Sequence, residues 1–404
     1  MYLWCLHLIS LVSISAENHF SLKQVDLFHQ FCYFRQMLKA QTLGKQLGTE
    51  GLNAARALLN RVPGLEVSSV RNEQQIGRDY LMDGRIEFEH GDHRYELIIE
   101  VKLNSAPRVV RSVVYQLKGY LAHVRQSGDA DTSRRLIPML VSPYLSPESR
   151  TICTDHDVAY LDLVGNAHLA FDNVYIDQAV ADRPKSETRA LRSTFSPKAA
   201  AVLRVMLRSP DRTWRVAELA REANVSLGHV SNVRKALLER EWIERLDDGV
   251  ALVQPSALLK TWRENYRRPV AHRVTGYTYL HGRQLNERLS GQLNPHPHRP
   301  RAIYSLNSAA QWFAPFARDG TTTFYADEPG LRLLTETLEL NSAARGANVI
   351  LRIPVDETLF EDAIEPAPGI FCTGPIITYL DLWTGSERDR EAAEFVAKEF
   401  FPWL

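Results

Sequence analysis

Within YELIIEVKLN (Tyr95–Asn104), an otherwise apolar run carries an acid, Glu100, and an amine, Lys102, two residues apart. Alternate residues of a strand share a face, so both would point the same way near its carboxyl end. Upstream, in LMDGRIEF, Asp83 begins a strand that turns through Gly91–His93 into the first. An aspartate and a glutamate on adjacent strand ends can share one hard cation. Mg²⁺ suits such oxygen ligands and keeps several waters. A metal there would polarise a phosphoryl oxygen and acidify bound water, while the Lys102 ammonium offsets charge developing on the phosphate. A solvated strand end gives the same Glu-x-Lys spacing, so the surrounding elements must separate the two readings.

The following helix, around VVYQLKGYL, buries a stripe of Val113, Val114, Leu117 and Val124. Gln116 and Tyr120 sit one turn apart at its edge, positioned to lean over the same strand end. Asp83, then Glu100-Val101-Lys102, then Gln116-x-x-x-Tyr120 resembles the PD-(D/E)xK nuclease superfamily, the helix pair being similar to the QxxxY motif of its RecB-like branch. The resemblance covers roughly Leu65–Val141. It implies Asp83 and Glu100 as metal ligands, Lys102 beside the attacking water, and Gln116 and Tyr120 as organisers of the site. The acidic residue expected on the first helix has only loose candidates, Glu50 and Glu73. Domains of this kind also serve as inert scaffolds, so shared fold and retained catalysis are separate expectations.

These residues need elements to hold them. At 404 residues the chain is long for one core and is expected to form two or three domains. A hydrophobic fraction of 45% with 24% charged residues marks a globular chain rather than a disordered one. From Glu17 to Val180 the pattern alternates helical and strand periods. Phe20–Leu47 and Gly51–Leu59 read as helices, and Leu65–Gln75, Gly84–Glu89 and Tyr95–Leu103 as strands. Arg108–Val124 is a helix, Leu136–Val141 a strand, and Asp157–Leu163 and Ala167–Ile176 two further β segments. Together they give an α/β fold class, with a nuclease-like mixed sheet over residues 17–180. ADRPKSETRALRS (Ala181–Ser193) has the composition of a linker.

The second block spans residues 194–254. Ser196-Pro197 starts a helix whose apolar face holds Ala201, Val202, Val205 and Met206. VAELAREANVSLGHVSNVRKALLEREWI then supplies a second helix, a turn and a third helix, capped by Ser226 and held inward by Val230, Val233 and Leu237. The opposite face carries Gly228, Ser231, Asn232 and Lys235, with His229 at the flank. Short polar residues at the start of such a helix suit base edges, and Lys235 suits a phosphate. WIERLDDGVALVQ alternates around Asp248-Gly249, a hairpin signal. Three helices and a hairpin resemble a winged helix-turn-helix, which implies double-stranded DNA as partner, although some winged domains bind protein instead.

Formal net charge is zero, so any nucleic-acid face must be local. Residues 194–254 hold ten Lys/Arg against eight Asp/Glu, which decides little. Pro255–Arg301 holds nine Lys/Arg against two acids, including WRENYRRP (Trp262–Pro269), either a clamp on the phosphate backbone or a solvated helix. Four cysteines, Cys5, Cys32, Cys153 and Cys372, show no CxxC pair, which argues against a zinc ribbon and a disulfide framework. His296 and His298 in NPHPHRP lack an acidic partner and read as loop.

Residues 255–404 read as a third, α/β domain. ARGANVIL (Ala344–Leu351), PIITYLDL (Pro375–Leu382) and RDREAAEFV (Arg388–Val396), with YLDLVGNAHL (Tyr160–Leu169) earlier, add to the winged helix. Together they resemble AbiEi-type antitoxins of type IV toxin–antitoxin systems, over roughly Leu65–Val396. The resemblance implies a repressor that binds operator DNA near its own gene and counters a nucleotidyltransferase toxin without necessarily forming a stable complex with it. A homodimer is one possible assembly, and the sequence leaves the oligomeric state open. DNA binding would need no cofactor, and Mg²⁺ would enter only if the nuclease-like site is active. The residue-level alternative in the last domain is structural, with Tyr379 and Asp381 satisfying local hydrogen bonds.

MYLWCLHLISLVSISA (residues 1–16) ends in small residues like a signal peptide, but no Lys or Arg precedes Lys23. It is short for a membrane-spanning helix, and an over-extended start or a buried segment is the expectation. DNA recognition then places the protein in the cytoplasm, away from membranes. The competing function is a Mg²⁺-dependent DNA endonuclease of a defence system, targeted by its winged helix.

Overall fold

The computed structural model describes residues 43–76, 80–127, 134–293, 301–316, 320–342 and 346–404. The apolar run at residues 1–16, most of the helix expected over Phe20–Leu47, and His296 and His298 lie outside them. The chain divides after Asp182 into two compact units.

In the first unit, α1 (residues 43–59) runs unbroken through Gly51, where two helices were expected. Burial of Leu47, Leu52, Ala55, Leu58 and Leu59 outweighs the roughly 1 kcal/mol that one glycine costs a helix. Three strands follow, β1 (Leu65–Ile76), β2 (Tyr80–His90) and β3 (His93–Val101). Next come α2 (Pro107–Ser127), β4 (Arg134–Ser142), α3 (Pro147–Thr154), β5 (Ala159–Asp162), β6 (Ala167–Phe171) and β7 (Val174–Gln178). The seven strands lie side by side in chain order. β3, β4 and β5 are parallel to one another, and the outer pairings are antiparallel. Parallel neighbours need crossovers, which α2 and α3 supply.

Alternation along the strands divides the core. Ile86, Phe88, Leu97 and Ile99 pack with α1. Ile98 and Leu140 pack with Val110, Val113, Val114, Leu117 and Tyr120 of α2 and with Ile152 and Cys153 of α3. Gly84 lets α1 approach closely, since a Cβ there would fall 2.3 Å from Leu52 Cδ2. The DLVGN turn of YLDLVGNAHL is structural: buried Asp162 accepts the backbone N–H groups of Leu145, Val164, Gly165 and Asn166 at 2.9–3.0 Å.

The second unit opens with α4 (Lys185–Thr194), not the expected linker. Its polar composition hides an amphipathic helix that buries Leu191 and Thr194 and pairs Glu187 with Arg240 at 2.8 Å. Then come α5 (Pro197–Arg208), α6 (Val216–Glu222), α7 (Leu227–Glu239), the hairpin β8 (Ile243–Leu246) and β9 (Gly249–Leu252), and α8 (Pro255–Asn265). The remainder runs β10 (Val270–Tyr277), α9 (Gly282–Leu289), β11 (Ala302–Tyr304), α10 (Leu306–Phe313), β12 (Thr322–Ala326), α11 (Glu328–Thr337), β13 (Asn341–Ser342) and β14 (Val349–Pro354). It ends with α12 (Thr358–Glu361), β15 (Ile364–Ala367), β16 (Ile370–Cys372), α13 (Pro375–Trp383) and α14 (Glu387–Phe400).

A second mixed sheet has the order β13-β10-β14-β12-β11-β16-β15. Residues 194–254 and 255–404, read from sequence as separate blocks, share one hydrophobic core. Val202, Leu203 and Met206 of α5 and Leu258 and Trp262 of α8 belong to the same cluster as Tyr379, Leu380, Val396 and Phe401. The whole is a mixed α/β protein. Among the described residues no helix is long and apolar enough to cross a membrane.

Candidate functional site

The pairing of Gly84 with Ile99 brings Asp83 across from Glu100. Asp83 lies four residues into β2, rather than beginning it, and its Oδ2 accepts the N–H of Val101 at 2.7 Å. Glu100 is 3% exposed and its Oε1 is ion-paired with Lys102 Nζ. Its other oxygen, Oε2, is buried without a hydrogen-bond partner. Burial raises the Glu100 carboxyl above its ordinary value and the charge on Asp83 raises it further, while Lys102 and Gln116 pull it down. The Lys102 N–H donates to the carbonyl of Val141 at 2.9 Å, extending the β3–β4 pairing so that its side chain emerges at the carboxyl ends of parallel strands.

Gln116, exposed on α2, sits beside the Glu100 carboxyl. Tyr120 is not at the exposed edge of the helix, where the sequence placed it. It is 2% exposed, inside the α2 core, near Arg85 and Glu96. The i+4 step turns its ring toward Val113 and Leu117, and burial raises its phenol. The Arg85–Glu96 ion pair, with Glu96 2% exposed, was not singled out from sequence. The available signal was alternation, since Arg85 follows Asp83 by two residues and Glu96 precedes Glu100 by four on one sheet face.

The donor set fits a small hard cation. Asp83 and Glu100 supply carboxylate oxygens, and the orphaned Oε2 of Glu100 needs a partner. Among the described residues no group of three or more His, Cys, Asp or Glu could hold a metal. Glu50 is exposed on α1, and Glu73 lies in β1.

In the second unit, Ser226 caps α7 by accepting the N–H of His229 at 3.3 Å. Val230, Val233 and Leu237 are buried beneath it. Gly228, Asn232 and Lys235 are exposed and Ser231 is half-buried. His229 differs from a reading side chain: it is half-buried, with its Nε2 buried and lacking a hydrogen-bond partner. The hairpin turns at Asp247-Asp248, one residue before the expected Asp248-Gly249. Gly249 serves another purpose. Trp214 bridges to Val250, and a Cβ at Gly249 would lie 2.4 Å from the Trp214 carbonyl oxygen.

Much of the basic stretch after the hairpin is spent on internal contacts. Arg263 donates to the Tyr379 hydroxyl at 2.9 Å and lies 3.9 Å over the Trp383 ring. Arg268 donates to the Asp381 carbonyl at 2.8 Å, and Arg301 pairs with Asp327 at 2.8 Å. Lys260 and Arg267 remain exposed. Asp381 is fully buried and accepts the hydroxyls of Tyr266 and Tyr325 at 2.8 and 2.9 Å. Tyr379 and Asp381 thus have structural partners. Cys153 and Cys372 are free and buried, with burial pushing Cys153 up to about 12.

No family model matches the chain. No curated protein matches it either. Among solved structures, EndoMS in its apo form aligns over 28% of this chain and 45% of its own length, at 17% identity and a TM-score of 0.19. The chain thus spans less than half of that protein, and a likeness this small bears on neither fold nor function.

Proposed function

We propose that the protein is a DNA-binding transcriptional repressor that acts as the antitoxin of a type IV toxin–antitoxin pair, with a nuclease-like first unit. One observation carries the reading: α7, capped by Ser226, presents Gly228, Asn232 and Lys235 to solvent beside the β8–β9 hairpin while Val230, Val233 and Leu237 anchor its other side. Such an arrangement suits a winged helix whose third helix enters a major groove. Asn232 offers the paired donor and acceptor that adenine requires, and Lys235 a phosphate contact. The antitoxin role, a nucleotidyltransferase toxin as counterpart and a cytoplasmic location come from the AbiEi-like segments, and a homodimer would suit a repeated operator. Binding falls as salt rises. The test is a gel shift with duplexes from the region upstream of the gene. Unchanged binding by Asn232→Ala with Lys235→Ala overturns α7 as the reader.

A second reading, a Mg²⁺-dependent endonuclease, is favoured by one specific feature, the buried and unpartnered Oε2 of Glu100 beside Asp83 and Lys102. Asp83 and Glu100 would hold the ion, which polarises a phosphoryl oxygen and acidifies water when bound. Lys102 Nζ, ion-paired with Glu100, is placed to offset phosphate charge, and Gln116 orients the glutamate. Cleavage of DNA with Mg²⁺ or Mn²⁺ that disappears in Lys102→Ala establishes this activity. No cleavage of single-stranded or duplex substrates leaves the first unit as a scaffold.

A further inference from the structure

Leu227 is the first residue of α7 and is 56% exposed, although leucine is ordinarily drawn inward. Its backbone is held in place, because the Ser226 side chain closes the first turn by accepting the His229 N–H. Beside it, Gly228 leaves open space, with nothing within 4 Å of where a Cβ would stand. Asn232 and Lys235 are exposed further along the helix. An apolar side chain thus stands in water at the fixed start of a helix whose solvent side is otherwise polar.

We propose that Leu227 reads the C5-methyl group of a thymine in the major groove, making it a specificity-determining residue of the operator contact. This rests on the DNA-binding reading above. The first residues of a recognition helix meet base edges. Among the groups exposed there, the thymine methyl is the one that an aliphatic side chain recognises. The contact gains by removing two apolar groups from water, which a polar residue at this position could not do. Asn232 and Leu227 would then read adenine and thymine edges, so the duplex recognised holds A·T pairs under the start of α7.

The full-length protein is used to enrich binding duplexes from a randomised pool. Each thymine of the enriched duplex is then replaced singly by deoxyuridine, which lacks only the methyl group, and affinities are read by fluorescence anisotropy. One replacement should weaken the native protein about threefold to fivefold, the scale of one buried methyl group. Leu227→Ala should bind the thymine duplex more weakly by a similar factor and be indifferent to that same replacement. Leu227→Met, still apolar, should keep the sensitivity. Both variants alter an exposed side chain, and an unchanged melting temperature verifies their fold. Native protein indifferent to every deoxyuridine, or a Leu227→Ala variant that keeps the native sensitivity, overturns the proposal. So does a change in oligomeric mass on Leu227→Ala with unaltered DNA affinity, which assigns the residue to a contact between copies. A pool that yields no enriched duplex sinks the DNA-binding reading itself, whereas enrichment with methyl indifference sinks only Leu227.

Discussion

The Oδ2 atom of Asp83 accepts the backbone N–H of Val101 at 2.7 Å, tying one carboxylate of the candidate site to the strand that carries the other. The bond means that Asp83 is a structural residue whether or not a metal binds. Asp83→Ala, which leaves a strand-end N–H without its acceptor, should cost about 1–3 kcal/mol in urea denaturation. Asp83→Asn keeps an acceptor oxygen and should lose much less. It is therefore the variant with which to ask about metal binding.

Burial raises the Glu100 carboxyl above its ordinary 4.5, so the folded chain holds that proton to higher pH than the unfolded chain. Below 4.5 both states are protonated and Glu100 carries no penalty. As pH rises through the folded value the buried charge must be borne, and its contribution to stability is lost. Glu100→Gln should therefore melt higher than the native chain at pH 7, with the gap closing near pH 4. Melting curves across that range check the sign. If the site takes Mg²⁺, as the endonuclease reading requires, added Mg²⁺ raises the native melting temperature at pH 7 and leaves that of Glu100→Gln unmoved.

Asp381 is a buried polar hub of the second unit, accepting two tyrosine hydroxyls with Arg268 nearby. Its removal by Asp381→Ala strands the hydroxyls of Tyr266 and Tyr325 and the nearby Arg268, and should cost about 3–5 kcal/mol by chemical denaturation. Tyr266→Phe and Tyr325→Phe should each cost about 1 kcal/mol. A loss in Asp381→Ala no greater than in the tyrosine variants would show that the network relaxes around the gap.

The hairpin glycine should resist replacement. Gly249→Ala drives a methyl group to 2.4 Å from the Trp214 carbonyl oxygen, and should cost about 1–3 kcal/mol because backbone must shift. Gly228→Ala meets open space and should be neutral or stabilising by up to about 1 kcal/mol, as expected for alanine over glycine in a helix. Thermal denaturation of the pair tests this contrast. A loss of DNA affinity in Gly228→Ala without a loss of stability would place the open face of α7 against the duplex.

Local periodicity made a large part of this architecture legible. Alternation in YELIIEVKLN located β3 and put Glu96, Glu100 and Lys102 on one face. The inward stripe Val230, Val233 and Leu237 and the cap Ser226 located α7. These signals lie within a few residues of the side chains they explain. The helix over residues 185–194 was missed for the converse reason. Its polar residues read as linker until Arg240, from a distant part of the chain, paired with Glu187. Likewise Pro255–Arg301 looked like a cationic clamp, because the partners of Arg263, Arg268 and Arg301 come from α11, α13 and the residues beside them.

Sequence alone determined the residue types at the candidate site, their order, and the helices and strands that carry them. Those follow from local backbone preference and the spacing of apolar side chains. Tertiary structure decided what each residue faces. It turned Tyr120 into the core beside Arg85 and Glu96, left Gln116 with Glu100, and joined residues 194–254 to the chain beyond in one core. Only there does burial strip the Glu100 carboxyl of water and leave its Oε2 without a partner. Desolvation depends on what other elements cover, which the spacing of residues along one strand does not encode.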